Sequence, residues 1–293
     1  DVEAELGNAI TQTVPNNTTN PTGQIVIDNS TVTLKGANGN YKGLITINEG
    51  ATLKTETIHY APFGNGASIV NNGTIDVKNT GTGDCAIQAA ISGKWALTVS
   101  AGTLILTGAN TYNGATTIAE GAKVIAQTEN GATWNFNKVS TEPDITVNGE
   151  LEFVSSGEIY RGIAGNGTVR VSGDILLGNT GNSGELSGLS RFKGTLIVAA
   201  EKTLTLRTWG NQYDVVLTAL EVNGTVKGET KGSGGKPVVI KTSTLSGSGT
   251  IENTLALANG ATLAGAVTVT ENVTVEGAVN VTHADEAGET VIT

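Results

Sequence analysis

The sequence has very few of the residues that carry most enzyme and metal chemistry. Its 293 residues include one cysteine, two histidines and no methionine. The lone Cys85 excludes an intrachain disulfide, so stability must come from packing of the chain. His59 and His283 lie near opposite ends of the sequence, which argues against a nucleophilic triad with a histidine base. We therefore expect no catalytic centre of that kind, no cofactor and no metal site.

Aromatic residues, proline and clustered positive charge are also scarce. Aromatic residues make up 4% of the chain, and there are 5 prolines against 40 glycines, a composition typical of many short strands joined by tight turns. The net charge is −10 and the basic residues are scattered, so we expect no nucleic acid partner. No apolar run is long enough to cross a bilayer as a helix, which predicts no membrane insertion by this segment.

One stretch shows the organisation of the rest. Residues 102–124 read GTLILTGANTYNGATTIAEGAKV. Leu104 and Leu106 share one side of a predicted strand over 103–107, and a second strand is predicted over 116–119 after a Gly-Ala-Asn-Thr-Tyr-Asn-Gly corner. The alternation favours a strand and excludes a helix here.

A glycine, a small residue and an aliphatic residue recur along the chain. The units begin at Gly50, Gly73, Gly102, Gly121, Gly149, Gly167, Gly194, Gly224, Gly249 and Gly260. Their spacing runs from 11 residues (249 to 260) to 30 (194 to 224), which excludes hexapeptide helices. The absence of the Gly-Gly-x-Gly-x-Asp nonapeptide excludes calcium-binding rolls. The pattern predicts an all-β parallel β-helix (solenoid) with loops of uneven length and about a dozen coils.

Asparagine often precedes these turn glycines. The positions are Asn72, Asn148, Asn166, Asn223 and Asn259. Asn-Gly suits backbone positions with φ > 0, so we predict that geometry together with stacking of the side-chain amides between coils.

Residues 102–121 resemble the passenger-associated repeats of bacterial autotransporters, whose pattern is roughly G-T-L-x-L-T-G-x-N-T-Y-x-G-x-T-T-I-x-x-G. Residues 247–265 are similar to a second coil of that family, whereas Ala122-Lys123-Val124 stands where the family has Gly-Thr-Leu. The resemblance implies a single-stranded right-handed parallel β-helix, exported to the bacterial surface or secreted. It also implies a structural or adhesive protein without catalysis.

The chain divides into residues 1–23, predicted as an N-terminal arm or cap, and residues 24–293, predicted as the β-helix. The arm differs in composition, and an open first coil needs a cover. The arm also suggests an alternative function, in which the chain is a subunit of a self-assembling extracellular fibre whose subunits join end to end. The residues of this possible assembly arm are Glu3, Leu6, Ile10 and Val14.

Tryptophans fall within the three longest intervals between turn units. Long loops between strands often carry function. Aromatic rings beside amide side chains are suited to stacking on a sugar or to anchoring a protein partner. The alternative is that each ring only holds its loop against the coils. The candidate contact residues, for a glycan or protein on a host or cell surface, are Trp95, Trp134, Phe136, Trp209 and Tyr213.

A second alternative is a polysaccharide lyase or hydrolase, because parallel β-helices include such enzymes. It requires carboxylates that face one cleft. Glu150 and Glu152 are predicted to share one strand face. The densest mid-chain acids are Asp144, Glu150, Glu152 and Glu158, with Arg161 and Arg170 nearby; we interpret them instead as solvated surface charges.

Overall fold

The computed structural model describes residues 2–6, 24–34, 41–56, 63, 66–81, 83–94, 96–127, 145–159, 161–178, 188–209, 214–231 and 238–282. For residues 2–6, 209, 231 and 282 the description covers the backbone alone. By their contacts the residues divide into two compact units. The first unit comprises residues 1–139 and 148–151, and the second comprises residues 140–147 and 152–293.

All regular elements in the described residues are β-strands. Those of the first unit are β1 (Val2–Leu6), β2 (Gln24–Ile27), β3 (Ser30–Leu34), β4 (Leu44–Ile47), β5 (Thr52–Glu56), β6 (Ser68–Asn71), β7 (Thr74–Lys78), β8 (Cys85–Ile87), β9 (Ala90–Gly93), β10 (Leu97–Leu106), β11 (Thr116–Ile118) and β12 (Ala122–Ala126).

Residues 145–282 add eighteen strands. They are β13 (Ile145–Val147), β14 (Glu150–Phe153), β15 (Gly157–Ile159), β16 (Gly162–Gly165), β17 (Thr168–Val171), β18 (Ile175–Gly178), β19 (Gly188–Phe192), β20 (Thr195–Val198), β21 (Thr203–Trp209), β22 (Asp214–Leu217), β23 (Ala219–Val222), β24 (Thr225–Lys231), β25 (Val239–Gly247), β26 (Thr250–Glu252), β27 (Thr254–Gly265), β28 (Thr268–Val269), β29 (Val273–Val275) and β30 (Val279–Thr282).

In the first unit each strand pairs in parallel with a strand one turn of the chain away. One stack is β2-β4-β6-β9, and a second runs through β3, β5, β7 and the first half of β10. The second half of β10 pairs with β8 and β12. The backbone of β1, within the predicted arm, pairs in parallel with β3. The assignment of the arm as a cap stays a prediction.

The second unit repeats this arrangement. Its separate sheet is the parallel stack β15-β18-β21-β24-β26-β28. A second stack runs β17-β20-β23 and continues through one half of β25 and of β27 to β30. The long strands β25 and β27 serve two stacks, with a register shift between Thr242 and Thr244.

The core consists of apolar side chains stacked in register. Leu53, Ile75 and Leu97 are successive partners in one stack, and Ile45 and Ile69 are partners in another; all five are buried. Buried residues alternate with more exposed ones along strands such as β5 and β7, as the period-two pattern requires. The predicted all-β fold of stacked parallel strands is confirmed, with about nine turns where about a dozen coils were predicted.

Candidate functional site

Residues 102–121, which contain the repeat pattern, form part of one coil, and hydrogen bonds of its corner join it to the preceding coil. Leu104 and Leu106 are buried, and Thr103 and Ile105 are half-exposed, as predicted. The strands are slightly displaced from the predicted bounds, since β10 begins at Leu97 and β11 ends at Ile118.

Residues of the corner contact the backbone of the preceding coil. The buried side chain of Asn110 accepts a hydrogen bond through Oδ1 from the Ile91 N–H, at 3.0 Å. The Thr111 N–H donates to the Ile91 carbonyl at 2.8 Å. A Cβ at Gly108 would lie 2.2 Å from the Ala89 carbonyl oxygen, closer than atoms approach. The repeat residues therefore join one coil to the coil before it.

The glycines after asparagine have a different role from the one predicted. Among these Asn-Gly pairs only Gly260 has a positive φ, of 78°. A Cβ at Gly73, Gly149 or Gly224 would instead approach carbonyl oxygens of the preceding coil to 2.1–2.4 Å. These positions exclude a side chain because the backbones come close, so the expectation of φ > 0 was wrong for them.

Two of these asparagines make hydrogen bonds, and the predicted stacking of the side-chain amides stays a prediction. Asn223 Nδ2 donates to Glu221 at 2.8 Å, and Asn259 Oδ1 accepts from the Ala278 N–H of the next coil at 3.1 Å. The asparagines that sequence reasoning missed are Asn71 and Asn79, which are buried and bond backbone groups within the turns.

The mid-chain acids considered for catalysis bond separate partners. Glu150 lies 3.1 Å from the Lys123 ammonium. Glu152 accepts a hydrogen bond from Ser172 Oγ at 2.8 Å. The two glutamates do share the outward face of β14, as predicted. Asp144 lies outside the described residues.

The two nearby arginines differ in burial. Arg161 is 1% exposed and is the largest fully buried side chain of the described residues, whereas Arg170 is half-exposed. Sequence reasoning had placed both at the surface beside the acids. Arg161 lies between Ile159 and Ile163 in the sequence, and these apolar neighbours are the signal of burial that the sequence analysis did not use.

Glu158 belongs to a groove on the separate sheet of the second unit. The groove has a volume of about 320 Å³ and is lined by Gly157, Glu158, Asp174, Ile175, Leu176, Thr203 and Thr205. We call it the Glu158 groove. Glu158, Leu176 and Thr205 are register partners on three neighbouring strands, which places their side chains in one outward row.

The aromatic candidates lie largely beyond what the structure describes. Trp95, Trp134, Phe136 and Tyr213 are outside the described residues, as are Ile10 and Val14 of the arm. Trp209 ends β21 and pairs in register with Lys231, and Glu3 and Leu6 lie in β1, with backbone alone described. Their roles in binding or assembly stay predictions.

Within the described ranges, no group of three or more His, Cys, Asp or Glu side chains could hold a metal ion. No helix in that part of the chain is long and apolar enough to cross a membrane. Cys85 is fully buried, and burial raises the pKa of its thiol to about 12, with a smaller lowering by Thr55. A thiol held protonated in this way is a poor nucleophile.

A comparison with protein families adds to this geometry. The model described as passenger-associated-transport-repeat matches residues 99–122, which include the corner that Asn110 joins to Ile91. Neither a comparison with curated proteins nor one with solved structures gave a match. Residues 99–122 are thus similar to a passenger-associated-transport repeat, and this match together with the stacked parallel strands fits an autotransporter passenger with repeats.

Proposed function

We propose that this chain is a non-catalytic passenger segment, secreted or displayed on a bacterial surface, where it serves as a structural and adhesive solenoid. The observation that carries the proposal is the repeat match at residues 99–122, where the buried Asn110 side chain bonds the Ile91 backbone of the preceding coil. The repeat family suggests a secreted or surface protein.

The distribution of charged groups supports a role without catalysis. Glycoside hydrolysis needs two carboxylates that face one bond of the substrate. Glu150 and Glu152 share a face, but one contacts Lys123 and the other accepts from Ser172. Their contacts are those of ion pairs and hydrogen bonds that join neighbouring coils.

The outward faces supply the means of contact. Parallel strands about 4.8 Å apart repeat the same outward position from coil to coil, so a short segment of the solenoid presents rows of side chains at fixed spacing. One such row is Thr203, Thr225, Thr250 and Thr268 on the separate sheet of the second unit. A regular surface of this kind can contact an extended partner at several points at once, which raises its avidity.

Adhesion of beads coated with the purified chain tests this function. Beads carrying the folded chain should adhere to cell surfaces or to surface glycans, and beads carrying the urea-unfolded chain should not. The same chain should release neither reducing ends nor unsaturated products from acidic and neutral polysaccharides. Release of such products that depends on Glu150 or Glu152 would establish an enzyme and overturn the proposal.

Negative-stain electron microscopy across a concentration series tests the fibre alternative. Single particles at every concentration favour the adhesive segment. Filaments that shorten when Leu6 is replaced by Asp would make the chain a polymerising subunit joined through its arm.

A further inference from the structure

The Glu158 groove is an outward depression with fixed walls. Its chain segments are joined by the backbone: the Gly157 N–H donates to the Asp174 carbonyl at 3.0 Å. The Asp174 side chain is fixed in turn, since Oδ1 accepts from the Thr203 N–H at 2.9 Å. The Asp174 N–H donates to Ser156 Oγ at 3.1 Å. The groove is therefore formed before any ligand arrives, which lowers the cost of binding.

A glycine keeps part of the groove open. A Cβ at Gly157 would meet no atom within 4 Å, and no positive φ restricts that residue. The absence of a side chain there is required by neither packing nor backbone conformation. This distinguishes Gly157 from Gly173 and Gly194 in the same unit, where a Cβ would meet backbone atoms within 3 Å.

The lining combines three kinds of contact. Leu176 offers an apolar surface, Thr203 and Thr205 offer hydroxyl groups, and Glu158 and Asp174 offer carboxylates. Hydroxyl groups and carboxylates together bind the hydroxyl groups of a sugar, and an aliphatic side chain suits the C–H face of its ring. The volume, about 320 Å³, lies at the lower end of the range for small-molecule sites.

The charges favour a cationic ligand over an anionic one. Both charged groups in the groove are carboxylates, and the whole chain carries −10. Lys227 follows Thr205 in the same outward row, on the next strand. An ammonium group would be attracted to the Glu158 end and repelled from the Lys227 end, which fixes one orientation along the row.

A metal ion is a weaker occupant. Among the described residues, no three His, Cys, Asp or Glu side chains are grouped so that they could hold a metal ion. The two carboxylates of the groove supply few of the six to eight oxygen ligands that calcium takes. An apolar floor adds nothing to the binding of a bare cation. It does favour a ligand that has both a ring face and an amine.

We propose that the Glu158 groove binds amine-bearing sugar units, such as glucosamine residues with a free amino group. The proposal rests on the proposed adhesive function, for which it names a class of ligand. The carboxylates of Glu158 and Asp174 would hold the ammonium group, the two threonines the ring hydroxyls, and Leu176 the ring face.

Calorimetric titration of the full chain with two matched sugars tests the proposal. The probes are the β-1,4-linked glucosamine tetramer, at a pH where its amines are protonated, and the same tetramer fully N-acetylated. We expect the charged tetramer to bind at least tenfold more tightly than the acetylated one. Equal affinity for both, or no binding of either at millimolar concentration, would overturn the proposal.

Three variants locate the site. Gly157→Leu places a side chain in the groove at a position where an added Cβ meets no atom within 4 Å, and it should weaken binding of the charged tetramer more than tenfold. Glu158→Gln should weaken that binding about fivefold. Thr250→Val is the matched control, because Thr250 lies outward on the same sheet and outside the groove; it should bind as the wild type does. Identical affinities for all four proteins would show that the sugar binds elsewhere and overturn the assignment.

Bead adhesion separates this inference from the proposed function. If beads carrying the wild type and beads carrying Gly157→Leu adhere equally well, the groove is not the adhesive site, and the adhesive function stands. Wild-type protein that binds the charged tetramer while its beads fail to adhere would contradict the adhesive function and support the groove.

Discussion

The hydroxyl oxygens of Tyr112 and Thr116 lie 2.8 Å apart, with both side chains buried inside the repeat coil. This bond joins the corner of the coil to the first residue of β11, four positions later. The Tyr112 ring fills the interior of the corner, and its hydroxyl has a buried partner. The tyrosine of the repeat therefore fixes the exit direction of the chain after the corner.

We expect Tyr112→Phe to destabilise the first unit by about 1–2 kcal/mol, because it leaves the buried Thr116 hydroxyl without this bond. Urea unfolding monitored by circular dichroism measures the loss. Thr116→Val in the Tyr112→Phe background removes the Thr116 hydroxyl, which has lost its bond to Tyr112. This second change should restore part of the stability, so the double-mutant cycle should be non-additive. Strictly additive losses would show that the two hydroxyls do not interact.

Gly224→Ala tests the close approach of successive coils. A Cβ at this position would lie 2.2 Å from the Lys202 carbonyl oxygen and 2.3 Å from that of Ala199. Backbone must move to admit it, so we expect a loss of more than about 3 kcal/mol, at the upper end of single substitutions. The measurement is the urea midpoint of unfolding.

Gly157→Ala is the control for Gly224→Ala, because both glycines lie in the second unit and lack a positive φ. Open space surrounds a Cβ at position 157, so we expect a change of less than about 0.5 kcal/mol. Equal destabilisation by the two alanines would mean that close backbone approach does not limit position 224.

Glu201 occupies a turn position that glycine holds elsewhere. Its φ is 63°, and Gly50 and Gly121 have φ of 79° and 76° at the corresponding third position of their turns. The Lys202 N–H closes the turn on the Ala199 carbonyl, as the Ala122 N–H does on that of Ala119. A left-handed conformation costs a residue with a Cβ roughly 1–2 kcal/mol.

We therefore expect Glu201→Gly to stabilise the second unit by about 0.5–1 kcal/mol, the strain relieved being partly offset by the flexibility of glycine in the unfolded chain. Thermal unfolding should show the rise. Glu201→Ala keeps the Cβ while removing the charge, so it should give no comparable gain. A gain from alanine as large as that from glycine would assign the effect to charge.

The stacked fold could be predicted from the sequence because its signals are local. The alternation of the buried Leu104 and Leu106 with outward-facing neighbours follows from the pleat of a strand, and the recurrence of turn glycines follows from the turns between the sides of each coil. The family resemblance added the assignment as a passenger repeat.

What the sequence could not show depends on neighbouring coils. Position 224 requires glycine because the carbonyl oxygens of Ala199 and Lys202 lie too close for a Cβ. From the sequence alone, the Asn-Gly pair predicts instead a turn residue with positive φ. The Glu158 groove likewise joins three strands whose register depends on loops of unequal length. The burial of Arg161 was not predicted either, although Ile159 and Ile163 beside it in the sequence are apolar and buried.

Cys85 should make the stability of the first unit fall at alkaline pH. Burial raises the pKa of the thiol from 9.0 to about 12 in the folded chain, so between these values the unfolded chain releases a proton that the folded chain retains. The contribution of the thiol to the free energy of unfolding is fully present below pH 9. Above pH 9 the free energy of unfolding falls by up to about 1.4 kcal/mol per pH unit.

Cys85→Ala removes the thiol at a pH-independent packing cost of about 1 kcal/mol. We expect wild type to be the more stable protein at pH 7 and the less stable one by pH 11, with the difference in urea midpoints changing sign above pH 9. Tyrosine and lysine residues titrate equally in both proteins, so a constant difference across this range would show that the thiol ionises as readily in the folded chain as in the unfolded one.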